Sequence, residues 1–165
     1  EVIKEYAKDK LVYSNTLGEW IVHDGIDIKA NKTTVVKASA EGTVKSIKND
    51  PRYGLTVIIE HSNGFTSVYS NLLTAEFVVE GEKVKQGQTI GTVGTTATLE
   101  NSDEPHLHFE IRKDGNSLDP TLYLKNLFFL VLFGGGLQKV PLLCMNKNIQ
   151  NYVKYYIYIT NLKMC

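Results

Sequence analysis

From Trp20 to Leu118 the chain is a succession of short β-prone runs cut by turn residues, and no useful length of it repeats apolar side chains at the helical period. The runs cover residues 26–29, 34–38, 42–48, 55–60, 65–70, 83–84, 89–93 and 106–112. Between them stand Asn49-Asp50-Pro51, Ser62-Asn63-Gly64, Glu80-Gly81-Glu82 and Gln86-Gly87-Gln88, where Gly and Asn tolerate positive φ. This spacing predicts an all-β fold, a mostly antiparallel sheet or sandwich, with Asn63-Gly64 as the best hairpin signal. Asp119-Pro120 ahead of Thr121-Leu122-Tyr123-Leu124 predicts one short terminal helix, with Asp119 as its cap and Pro120 at the first position.

At 165 residues one buried core is expected, and three segments are distinguished within it. Residues 1–17 mix charge with aromatics and read as an exposed lead-in without chemistry. Residues 18–125 carry the β-pattern. Residues 126–165 form a tail in which 13 of the 17 residues from Asn146 to Leu162 are Asn, Lys, Ile or Tyr. Two explanations stay open for the tail: a read-through or shifted frame in an AT-rich gene, or a genuine aromatic appendage. Either way it is expected to add little order. Its apolar run from Leu127 to Phe133 is too short to span a bilayer.

The chain begins at Glu1 with no signal peptide and is expected to be a piece of a longer protein. No basic patch argues for nucleic acid. Both cysteines, Cys144 and Cys165, fall in the tail, so the β-domain has neither a disulfide framework nor a thiolate metal site. A metal held there must use histidine and carboxylate.

Such ligands occur in two short motifs. Pro105-His106-Leu107-His108-Phe109-Glu110-Ile111 alternates polar and apolar side chains, so a strand here puts His106 and His108 on one face and Leu107, Phe109 and Ile111 on the other. His23-Asp24-Gly25-Ile26-Asp27 supplies a third imidazole and carboxylates within five residues. Together they offer enough nitrogen and oxygen donors for a catalytic zinc site. Two neutral imidazoles and one carboxylate leave zinc a residual positive charge and a fourth position for water, the condition for lowering that water's pKa to roughly 7. Gly25 reads either as a site of close backbone approach or as a simple turn glycine.

These motifs resemble the LytM-type (lysostaphin-type) zinc endopeptidases, which cut peptide cross-links in bacterial peptidoglycan. The resemblance spans roughly residues 18–125. It includes the first motif, Val36 to Val44, the Lys83-Val84, Gly87, Ile90-Gly91 and Gly94 signposts, the His-Xaa-His strand and Asp119-Pro120. It implies Zn2+ as cofactor, His23, Asp27 and His108 as its ligands, and peptidoglycan peptides as substrate. It also implies that His106 hydrogen-bonds the attacking water or the developing oxyanion.

One departure bears on activity. The active enzymes carry a second catalytic histidine in a Tyr-Xaa-His-Leu element, and the matching residues here are Tyr69-Ser70-Asn71-Leu72. Asn71, taken as the second catalytic position, can orient a water but cannot exchange a proton near neutral pH, which puts at risk general acid-base help worth roughly 10²- to 10⁴-fold. His61, two residues before a hairpin Asn-Gly, reads as structural. Within the family the chain looks most like sporulation members that sit outside the forespore membrane behind a short anchor and pair with a protein partner in an intermembrane channel. Two function classes stay open: a zinc endopeptidase, and a zinc-stabilised binding module with weak turnover.

Overall fold

The computed structural model describes residues 1–124 together with the backbone of two further strands, Phe128–Phe133 and Gly136–Pro141, which pair as an antiparallel hairpin. The other expectations for residues 126–165 lie outside the described residues. Twelve strands precede that hairpin: β1 (Val2–Lys4), β2 (Ala7–Ser14), β3 (Glu19–His23), β4 (Ile26–Lys29), β5 (Val35–Lys37), β6 (Gly42–Asp50), β7 (Gly54–Glu60), β8 (Phe65–Thr74), β9 (Lys83–Val84), β10 (Thr89–Val93), β11 (His106–Lys113) and β12 (Asn116–Leu118). Among the described residues every strand pair is antiparallel. A ten-stranded sheet runs in the order β1-β4-β11-β8-β7-β6-β9, with β10 joined to β5 and β8 and β12 joined to β11, while β2 and β3 form a separate hairpin. The all-β expectation holds.

Local chemistry explains the joints. At the β7–β8 hairpin Asn63 and Gly64 adopt φ of 58° and 74°, the left-handed conformation their side chains allow at low strain. The short helix α1 (Thr121–Leu124) starts where Asp119 Oδ1 accepts hydrogen bonds from Thr121 N at 2.9 Å and Thr121 Oγ1 at 2.7 Å. The core is built from Ile26, Val57, Ile59, Tyr69, Leu72, Ile90, Val93, Phe109 and Ile111, contributed by the middle strands. Phe109 and Ile111 enter it as the alternation requires, and Leu107 packs at its edge. Among the described residues no helix is long and apolar enough to cross a membrane.

The lead-in segment departs from expectation. Its apolar side chains Val2, Ile3, Leu11 and Tyr13 are exposed, as a lead-in requires. Yet β1 pairs with β4, and Ala7 of β2 pairs with His23 of β3, so residues 1–14 border the histidine face of the sheet.

Candidate metal centre

Two strands set this centre. β4 and β11 are antiparallel neighbours with Asp27 directly opposite His108 and Lys29 opposite His106, so Asp27 and both histidines leave one face of the sheet. His23 arrives from the end of β3, and the chain turns through Asp24 and Gly25 into β4. A Cβ on Gly25 would lie 2.5 Å from the carbonyl oxygen of Phe109, so glycine is needed for close approach to β11.

The donor atoms converge. His108 Nδ1 is 2.8 Å from Asp27 Oδ1, His23 Nε2 is 3.2 Å from the same oxygen, and the two imidazole nitrogens are 3.2 Å apart. Ligands at about 2.0–2.2 Å around a tetrahedral zinc stand roughly 3.3 Å from one another, so this spacing fits that ion. All three residues are fully buried.

The outer nitrogens fix which atoms face inward. His23 Nδ1 donates to the carbonyl oxygen of Glu5 at 2.8 Å. His108 Nε2 donates to Glu110 Oε1 at 3.3 Å, and Arg112 holds that carboxylate from the far side at 2.7 Å. Since a carbonyl and an ionised carboxylate only accept, each neutral imidazole turns its lone pair toward the other and toward Asp27. Three electron-rich atoms in contact repel unless a cation sits among them. Asp27 Oδ2 accepts no hydrogen bond, although Lys4 Nζ lies 3.2 Å away as an ion-pair partner.

Charge counting gives the same result. Among the described residues, and with the histidines neutral, Asp27, Glu100, Asp103 and Glu110 are offset by Lys4 and Arg112, which leaves the cluster two positive charges short. A divalent cation restores neutrality. With protons as the only cations, burial would lower the pKa of His108, but hydrogen bonding to Asp27 and Glu110 raises it to about 9. Burial likewise opposes the charge on Asp27, yet hydrogen bonding to His108 and His23 holds its carboxyl well below the usual range. The site retains positive charge wherever it can.

Two participants have no signature in the sequence. Glu100, in a short 3-10 turn over Thr98–Glu100, joins His23, Asp27 and His108 in a buried group whose donor atoms all lie within 4.8 Å of one another. Lys4, from the lead-in, reaches Glu100 Oε1 at 3.1 Å and Asp103 Oδ2 at 2.7 Å. A lone glutamate in a polar loop and a lysine among charges both read as solvated. The β-prone triplet Val2-Ile3-Lys4 is the one signal that could have drawn attention to Lys4.

His106 and Asn71 lie beside this group. His106 Nδ1 donates to the carbonyl oxygen of Glu104 at 2.6 Å, while its Nε2 stands 3.2 Å from Glu100 Oε2 and 3.9 Å from Asp27 Oδ2. Asn71 is buried with its carboxamide in use: Oδ1 accepts from Thr96 N at 2.7 Å and Ala97 N at 3.0 Å, and Nδ2 donates to the carbonyl oxygen of His106 at 3.0 Å. His61 is engaged elsewhere, by the carbonyl oxygen of Glu41 and by Ser67 Oγ, both at 2.7 Å.

The family model described as Peptidase family M23 matches residues 21–120, which hold every one of these residues except Lys4 and Glu5. The chain belongs to peptidase family M23. Among curated relatives it is 39% identical over 127 residues to stage II sporulation protein Q of Bacillus subtilis, covering 75% of this chain and 43% of that protein. It is 41% identical over 101 residues to the murein hydrolase activator NlpD of Escherichia coli, covering 61% of this chain and 25% of that protein. The chain thus spans less than half the length of either relative. Among solved structures, that of the SpoIIQ-SpoIIIAH pore-forming complex matches with a TM-score of 0.63 at 33% identity, covering 74% of this chain and 82% of that one.

Proposed function

We propose that residues 18–125 form a zinc-binding, extracytoplasmic M23 domain of the SpoIIQ kind, which pairs with a SpoIIIAH-like protein at the forespore membrane and hydrolyses peptidoglycan peptides weakly. The observation that carries the zinc reading is the inward convergence of the two imidazole lone pairs on Asp27 Oδ1. Zinc held by His23, Asp27 and His108 supplies Lewis acidity when bound. His106 stands beside the group with Nε2 directed at it, where it can hold or pass a proton. Asn71 cannot do so, and its carboxamide is occupied by Thr96, Ala97 and His106. The second proton-handling group that family peptidases use is therefore missing.

The partner and the location rest on likeness to SpoIIQ in sequence and to the SpoIIQ-SpoIIIAH structure. The competing reading, a fully active endopeptidase of peptidoglycan cross-links, draws support from the intact His106 and from the family itself. Metal content, binding to a SpoIIIAH-like protein from the same source, and hydrolysis of cross-linked muropeptides decide between them. Stoichiometric zinc with partner binding and little hydrolysis is expected. Vigorous hydrolysis abolished by His106→Ala would establish the ordinary peptidase instead.

A further inference from the structure

We propose that Glu100 is a fourth protein ligand of this metal centre, so that the centre is closed rather than open to substrate. The proposal rests on the zinc reading above and adds a residue that the motif comparison does not supply. Its first support is position. Glu100 is 4% exposed, its Oε1 stands 3.7 Å from His23 Nε2, and a carboxylate oxygen falls within the same compact donor group as His23, Asp27 and His108.

The second support is charge. Glu100 and Asp27 are buried carboxylates of like sign, and the lysine that bridges them among the described residues, Lys4, also serves Asp103. Two buried carboxylates sharing one ammonium leave negative charge in a low-dielectric site, which burial strongly disfavours. Ligation of a divalent ion by both removes that penalty.

The third support is how firmly Glu100 is placed. Its second oxygen, Oε2, lies 3.2 Å from His106 Nε2. The turn that carries it is tied down on two sides. Leu99 N donates to the carbonyl oxygen of Arg52 at 3.2 Å, and Asn71 Oδ1 holds Thr96 and Ala97 just ahead of the turn. Asn71, where the family's active members have a histidine, here anchors the segment that delivers Glu100. Three protein ligands and an open position characterise catalytic zinc, and four protein ligands characterise structural zinc. By that rule Glu100 moves this centre toward structure.

The test uses the full chain loaded with zinc or with cobalt(II) as a spectroscopic stand-in, in wild type, Glu100→Ala, Glu100→Gln and His23→Ala. Zinc affinity is measured by competition with a chromophoric chelator, and cobalt d–d bands are recorded with and without azide. The expected result is a wild-type cobalt spectrum that azide leaves unchanged. In the Glu100 variants the spectrum shifts with azide, and zinc affinity falls by at least the roughly 10- to 100-fold that loss of an outer-shell partner alone would bring. Glu100→Gln keeps the size of the side chain and covers the case in which Glu100→Ala fails to fold. Azide binding to the wild type, or Glu100 variants matching wild type in affinity and spectrum, would overturn the assignment while a loss of zinc in His23→Ala preserves the zinc reading. Undiminished zinc binding by His23→Ala overturns both.

Discussion

Replacing Asn71 with histidine, the change that recreates the Tyr-Xaa-His-Leu element of active family members, is expected to destabilise this protein. The carboxamide oxygen of Asn71 accepts from two successive backbone N–H groups, Thr96 at 2.7 Å and Ala97 at 3.0 Å, and both Asn71 and Ala97 are buried. A neutral imidazole has one acceptor nitrogen, so Asn71→His leaves at least one of these N–H groups without a partner, at about 1–3 kcal/mol. Asn71→Ala leaves both, and because the two groups share one acceptor their losses are not simply additive, so about 2–4 kcal/mol is expected. At about 2–4 °C of melting temperature per kcal/mol for a chain of this size, Asn71→His should melt several degrees below wild type and Asn71→Ala lower still. Thermal unfolding of the three zinc-loaded proteins measures this. Equal melting temperatures for wild type and Asn71→Ala would show that the Thr96–Ala97 segment does not depend on Asn71, and the proposed anchoring of Glu100 would lose its basis. With Glu100 as the proposed fourth ligand, hydrolysis by Asn71→His should stay low, whereas a clear rise would show that the missing histidine alone limits turnover.

Removing zinc with a chelator should lower the melting temperature, and restoring zinc at about 100 times its dissociation constant should return about 2.7 kcal/mol of stability; an unchanged melting curve would argue against a metal bound to the folded state. Gly25→Ala should cost about 1–3 kcal/mol by forcing β4 away from β11, and it should weaken zinc binding because Asp27 moves with β4; differential scanning calorimetry and metal competition read the two effects. Deleting residues 127–165 should leave the melting temperature within a few degrees of the full chain, and a large fall would place that apolar run in the core.

Much of the sheet was legible because its strands alternate or run short between strong turn residues. Residues 26–29, 83–84 and 89–93 match their strands end to end, and the Asn63-Gly64 hairpin forms where its positive φ values are easiest to adopt. The strands that were missed among the first twelve, β1, β2, β3 and β12, have a different character. β2 spans Ala7-Lys8-Asp9-Lys10-Leu11-Val12-Tyr13-Ser14, where three charged residues in a row mask the extended pattern. At the centre, His23, Asp27 and His108 stood out because imidazoles are scarce in this chain and come at spacings that share a face. Glu100 did not, since one carboxylate among eighteen acidic residues carries no local mark of burial. Its burial beside His23 and Lys4, and the tie of its neighbour Leu99 N to the Arg52 carbonyl, are tertiary contacts that depend on sheet order rather than sequence spacing.

The family match begins at residue 21, yet two contacts that organise the candidate metal centre come from before it. The Glu5 carbonyl oxygen sets the tautomer of His23, and Lys4 neutralises the carboxylates around it. Both depend on β1 lying against β4, with Lys4 paired to Asp27 across the two strands. The pairing places a part-buried ammonium where it would compete electrostatically with a bound metal, since Lys4 and a divalent ion would both draw on Asp27 and Glu100. Their combined charge is tolerable because Asp103 takes up the surplus at 2.7 Å from Lys4 Nζ. Displacing β1 would therefore free Asp27 Oδ2 and Glu100 Oε1 together and expose His23 Nδ1, altering ligand charge and ligand orientation in one movement. The segment that precedes the family match is in this way part of the candidate metal centre.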